Sequence, residues 1–109
     1  MEHRWSPRRT IRRDAMLYFQ GLPVMQATVC NIGLDGAYVE TPDAGLPRGT
    51  ALELEFELYD HSPTSRHRLP ALVMHQSLEG MGLMFRNFQQ PAFEDIHAYL
   101  FQDRRHNAA

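Results

Sequence analysis

Leu52, Leu54, Phe56 and Leu58 alternate with Glu53, Glu55 and Glu57 in the stretch ALELEFEL, residues 51–58. Side chains on a β-strand point alternately to its two faces, so this stretch has one apolar face and one acidic face. That is the pattern of a sheet buried on one side only. Towards the C-terminus, residues 60–65 (DHSPTS) read as a loop. Residues 68–77 return as a strand in which Pro70 implies an edge position or a bulge. Glu79-Gly80 then turns the chain into a strand over 81–86. Towards the N-terminus, a Pro/Gly-rich link ending at Gly49 separates this strand from one over 37–41. The turn Asn31-Ile32-Gly33-Leu34-Asp35-Gly36 precedes that strand. Before it come strands over 24–31 and 14–20, divided by Gly21-Leu22-Pro23.

The period changes after Pro91. Phe93, Ile96, His97 and Leu100 recur at three- and four-residue steps, with Pro91 at the first helical position, Glu94 and Asp95 in the first turn, and Arg104 and Arg105 at the end. The expectation is an all-β domain of about six short strands, barrel or sandwich, closed by one C-terminal helix. Residues 1–13 form an extended arm and residues 14–109 the folded body.

With 109 residues the chain suits one domain and one core. No apolar run is long enough for a membrane helix, and the basic N-terminus lacks the apolar segment of a signal peptide. Cys30 is the single cysteine, so no internal disulfide forms, and a reducing, cytoplasmic setting is expected. Cys30 itself reads as a small buried hydrophobe rather than a nucleophile.

All 11 basic residues are arginine, and five of them, Arg4, Arg8, Arg9, Arg12 and Arg13, lie within residues 4–13, although the formal net charge is −2. A basic arm on an acidic body suits a small anionic partner. The guanidinium fork matches phosphate oxygens and the Hoogsteen edge of guanine. A dedicated nucleic-acid binder would carry a domain-wide basic face, which disfavours that class. In the turn, Asn31 offers an amide to a base edge, and Gly33 and Gly36 permit close backbone approach.

Taken together, these features resemble the PilZ domains, bacterial receptors for the second messenger cyclic di-GMP. The family has an R-x-x-x-R arm before the first strand and [D/N]-x-S-x-x-G after the second. Here Arg8/Arg12 and Arg9/Arg13 supply the first element and Asn31 to Gly36 the second. Leu46-Pro47-Arg48-Gly49 and Gly80-Met81-Gly82-Leu83-Met84-Phe85 also match family landmarks, so the likeness runs from about Arg8 to Gln102. It implies a six-stranded antiparallel barrel with a C-terminal helix. It further implies a ligand site formed by Arg8, Arg9, Arg12, Arg13, Asn31, Gly33 and Gly36, with no cofactor, no metal and no enzymatic activity. The doubled form R-R-x-x-x-R, associated in the family with a stacked ligand pair, is matched by Arg8, Arg9 and Arg13. Arg12 fits the other register and then faces solvent. One position departs from the pattern: Gly33 stands where the family has serine. The missing hydroxyl costs about 0.5–1.5 kcal/mol, a factor of roughly two to ten in affinity.

Six histidines show no zinc-ligand spacing. Glu53, Glu55 and Glu57 read as a solvated acidic face, and Met16, Met74, Met81 and Met84 as core filler. Trp5, beside the arginines, suits either base stacking or packing. The expected function is a cytoplasmic receptor, without membrane insertion, that orders its arm on binding cyclic di-GMP and signals to a protein effector. The alternative is an adaptor barrel that binds protein but no nucleotide. Gly33 favours the alternative, and the retained arginines count against it.

Overall fold

Period-two alternation closes here into a complete ring of strands. The structure, a computed structural model, describes residues 7–43, 45–86 and 90–108, with helix side chains described for 91–102. Strands β1 (Arg8–Phe19), β2 (Leu22–Gly33), β3 (Gly36–Glu40), β4 (Ala51–Glu57), β5 (Arg66–Gln76) and β6 (Gly80–Phe85) precede helix α1 (Gln90–Ala108). Every pairing is antiparallel, and the order β1-β2-β3-β6-β5-β4 forms a closed barrel. Closure leaves the ring without a permanent edge strand.

The apolar face of 51–58 is the barrel interior: Leu52, Leu54, Phe56 and Leu58 are buried. They meet Leu17, Val29, Ile32, Val39, Leu69 and Val73 from the other strands. The glutamates between them lie on the outer wall. Glu53 accepts a bond from Arg68 Nε at 2.9 Å, Glu55 from the Tyr18 hydroxyl at 3.0 Å, and Glu57 from Arg66 Nη2 at 2.8 Å. Ala92, Ile96, Tyr99 and Leu100 turn the buried side of α1 onto the core.

Several expectations change. Strand β1 begins at Arg8, so three arginines of the expected arm are already paired with β2, Arg8 opposite Gly33, Arg9 opposite Ile32 and Arg13 opposite Val29. The charged sequence hides this, because the backbone ladder that β2 requires is indifferent to side-chain polarity. Arg4 and Trp5 lie outside the described residues, as do the side chains of Arg104 and Arg105. Leu22 and Pro23 belong to β2, and the turn is the pair Gln20 and Gly21, both at positive φ (52° and 83°). Pro70 sits inside β5, which is flanked on both sides. Its carbonyl accepts Arg86 N at 2.8 Å, just past the end of β6, so its missing donor faces the place where that strand has ended. Helix α1 starts one residue before Pro91 and has no acid in its first turn, and Phe93 is 40% exposed while Tyr99 takes the buried position. Of the four methionines expected in the core only Met81 is fully buried. Met16 is half-buried, and Met74 and Met84 lie on the outer wall. Cys30 is half-buried, and burial, with the Glu40 charge, pushes its thiol pKa up.

Candidate functional site

Two local irregularities aim the motif residues. Val29 and Ile32 are both buried, although strict alternation would put one of them outside. The register between β2 and β3 shifts between Val29 and Asn31, leaving Cys30 as the extra residue. This bulge restores Ile32 to the core and turns Asn31 to the outer wall, the kind of re-aiming that bulges supply beside functional sites. A second shift, between Thr10 and Arg13, falls opposite the same point on β1.

On that outer wall Arg8 lies over the β2–β3 turn. Its Nη2 and Nε donate to Asn31 Oδ1 at 2.7 and 3.2 Å, and its Nη1 donates to Asp35 Oδ1 at 2.9 Å. The first residue of the arginine motif and the first of the turn motif, 23 positions apart, thus form a direct contact. Asp35 was missed by sequence reasoning. It falls at an unspecified position of the turn pattern, and the available signal was a carboxylate within reach of an arginine-bearing strand.

Arg8, Asn31 and Asp35 line one end of an open trough of about 520 Å³ on the outer face of β3, β6 and β5. Its other lining includes Tyr38, Met74, His75, Gly82 and Met84. The rings of Tyr38 and His75 stack with centroids 6.3 Å apart and planes 22° apart. The His75 ring lies directly against Gly82, where any side chain would collide with it. An aromatic shelf, two thioether walls and a guanidinium–amide corner can hold a flat heterocycle attached to an anion.

The two motif glycines have different roles. A Cβ at Gly33 would stand 3.0 Å from Arg8 Cγ, 3.0 Å from the Pro7 carbonyl oxygen and 3.1 Å from Asp35 Oδ1. Gly33 therefore lets Arg8 pass over the turn. A Cβ at Gly36 would overlap the Leu83 carbonyl oxygen across the β3–β6 pairing. The close approach at Gly36 is to β6, within the fold itself.

The remaining arginines do not converge on Asn31. Arg9, on the opposite face of β1 from Arg8, donates from Nη1 to the Tyr99 carbonyl at 2.9 Å and sits 4.6 Å from the Tyr99 ring centroid. Arg13 donates from Nε to the Leu58 carbonyl at 3.1 Å. Arg12 is 68% exposed and reaches Glu40 at 3.4 Å. Arg12 and Arg13 border a different hollow of about 790 Å³ along β1, shared with Asp14, Glu40, Glu55 and Glu57. That hollow is larger but acidic, and it touches neither Arg8 nor the turn. Among the described residues no group of three or more His, Cys, Asp or Glu is arranged to hold a metal ion. Among the same residues no helix is long and apolar enough to cross a membrane.

No curated protein sequence matches this one. Solved structures do match in fold. The Bacillus subtilis inhibitor of motility MotI/DgrA superposes with a TM-score of 0.80 at 15% identity, over 97% of this chain and 53% of that one. This chain thus spans about half of that protein's length. The PilZ domain of Escherichia coli YcgR with c-di-GMP gives 0.74 at 10% identity, over 97% and 95% of the two chains. The PilZ domain of CeSA from a cellulose-synthesizing bacterium gives 0.65 at 14% identity, over 89% and 97%. The PilZ domain family model matches residues 2–102, and with the closed six-stranded barrel this shows that the chain belongs to the PilZ domain family.

Proposed function

We propose that this chain is a non-enzymatic receptor for cyclic di-GMP and signals the bound state to a protein effector. The observation that carries the reading is the Arg8–Asn31 contact at the end of the outer trough. Cyclic di-GMP combines phosphates with flat guanines, and the trough offers a partner for each. The Arg8 guanidinium faces a phosphate, Asn31 presents its amide to a guanine edge, and the Tyr38–His75 shelf takes a base face. The fold likeness to a YcgR domain whose structure contains c-di-GMP supports the same ligand class. Arg8 to Arg13 already belong to β1, so any ordering of the leader on binding does not involve these six residues. Arg9, Arg12 and Arg13 enter the site only if β1 shifts, so a single ligand molecule held by Arg8 is the simplest stoichiometry. A reducing, cytoplasmic location accords with the lone thiol.

Isothermal titration with cyclic di-GMP tests the reading. The expected result is saturable heat at tens of micromolar ligand, strongly weakened but still measurable at higher ligand concentration in Arg8→Ala and Asn31→Ala. A correctly folded protein that gives no heat removes the receptor reading and leaves the nucleotide-free adaptor.

A further inference from the structure

Asp35 has no counterpart in the family pattern, yet among the described residues lining the trough it is the only acid. It faces the cation on which the cyclic di-GMP reading depends. Its Oδ1 accepts Arg8 Nη1 at 2.9 Å, while Asn31 Oδ1 takes Nε and Nη2, so all three guanidinium nitrogens have partners before any ligand arrives. The backbone at Asp35 is fixed independently, because its carbonyl accepts Phe85 N at 2.9 Å. The β3–β6 end therefore places the Asp35 backbone within reach of Arg8, whatever the Arg8 side chain does. The Arg8 side chain is 20% exposed and that of Asp35 56%, so the carboxylate stands on the solvent side of the pair, where an incoming anion would approach. Gly33 completes the arrangement: its missing Cβ would lie 3.1 Å from Asp35 Oδ1, so the carboxylate occupies the neighbourhood vacated by the family's serine.

We infer that Asp35 sets the affinity of the site by holding the Arg8 guanidinium in place of a ligand phosphate. The inference rests on the cyclic di-GMP reading. A phosphate reaching Arg8 must displace the carboxylate or share the guanidinium with it, and in either case two anions come close together. The carboxylate raises the messenger concentration needed for occupancy, and it keeps Arg8 extended over the turn when the ligand is absent. Asn31 differs in that its amide is neutral, and it can orient Arg8 without repelling a phosphate.

The test is titration of cyclic di-GMP into the wild type, Asp35→Asn, Arg8→Ala and the double variant, with circular dichroism confirming the fold of each. Asp35→Asn keeps the shape and removes the charge. It is expected to bind about five- to twentyfold more tightly, from loss of a partly exposed ion pair and of a like-charge repulsion. The gain is expected to shrink as salt is raised, and to fall to about twofold or less in the Arg8→Ala background, where only residual repulsion remains. Binding by Asp35→Asn where the wild type gives no heat would also support the inference. Equal affinity of wild type and Asp35→Asn would overturn it while leaving the receptor reading intact. Weaker binding by Asp35→Asn would do the same, showing that the carboxylate contacts the ligand directly. No binding by either protein would overturn the inference and the receptor reading together.

Discussion

Replacing Gly36 with alanine separates the two reasons for which a glycine can close the turn motif: approach to a ligand, or approach to the fold. An added Cβ would overlap the Leu83 carbonyl oxygen and come within 3.0 Å of Leu83 C and 3.2 Å of Met84 Cα. Carbon–carbon contacts are most favourable at about 3.5–4.0 Å, so β3 and β6 must part by at least about 0.5 Å, and by more to clear the oxygen. All three atoms belong to a backbone, so no side-chain rotation relieves the overlap. Overpacking of this kind costs about 1–3 kcal/mol, and each weakened ladder hydrogen bond adds about 0.5–1.5 kcal/mol. The expected loss is about 2–4 kcal/mol out of a total near 5–15 kcal/mol. With a urea slope of about 1.5 kcal/mol/M, the unfolding midpoint falls by roughly 1.3–2.7 M. Gly33→Ala provides the comparison. Its added Cβ meets the movable stem of Arg8 and the Asp35 carboxylate as well as the Pro7 carbonyl, so the loss there is expected to stay below about 1.5 kcal/mol. Urea denaturation followed by far-UV circular dichroism measures both. A Gly36→Ala protein with a wild-type midpoint and impaired ligand binding would refute the assignment of Gly36 to the barrel.

Arg9→Ala removes the bond to the Tyr99 carbonyl and the cation–π contact with its ring, and is expected to destabilise by about 1–2 kcal/mol, with faster amide exchange in α1. Arg12→Ala, which loses only an exposed 3.4 Å ion pair, is expected to stay within about 0.5 kcal/mol of wild type in the same denaturation assay. Tyr59 donates to Gln102 Oε1 at 2.7 Å, and burial first, then the Asp95 charge, raises its phenol above the ordinary 10.0. This stabilisation is fully present below pH 10.0 and is lost as pH rises through the higher folded value, so thermal midpoints measured from pH 9 to 12 should fall less steeply in Tyr59→Phe.

The fold was legible where burial writes itself into alternation. Leu52 to Leu58 face one core, their glutamates face solvent, and the period survives because β4 contains no bulge. It was not legible at Arg8 to Arg13, where the requirement is the unpaired backbone of Val29 to Gly33 and the side chains carry no record of it. Nor does alternation reveal a bulge, so the outward turn of Asn31 at Cys30 emerges only from the paired register. In the site, the association of Arg8 with Asn31 was legible through the family likeness. The grouping of four arginines was not, because successive residues of a strand point to opposite faces and the chain must send Arg9 to α1 if Arg8 reaches Asn31.

Closure of the barrel decides where a ligand can go. The interior is filled by aliphatic side chains from all six strands and capped by Ile96, Tyr99 and Leu100, leaving recognition to the outer wall. A wall of alternating strands offers only shallow relief, so depth comes from glycines and bulges: Gly82 lets the His75 ring lie flat, Gly33 lets Arg8 cross the turn, and the extra residue at Cys30 exposes Asn31. The same construction divides the motif by consequence. Asn31, Asp35 and Arg8 stand on the outside and can be exchanged while the core stays intact. Ile32 and Gly36, interleaved with them in sequence, face inward or against β6, and their replacement disturbs the barrel first and the ligand only through it.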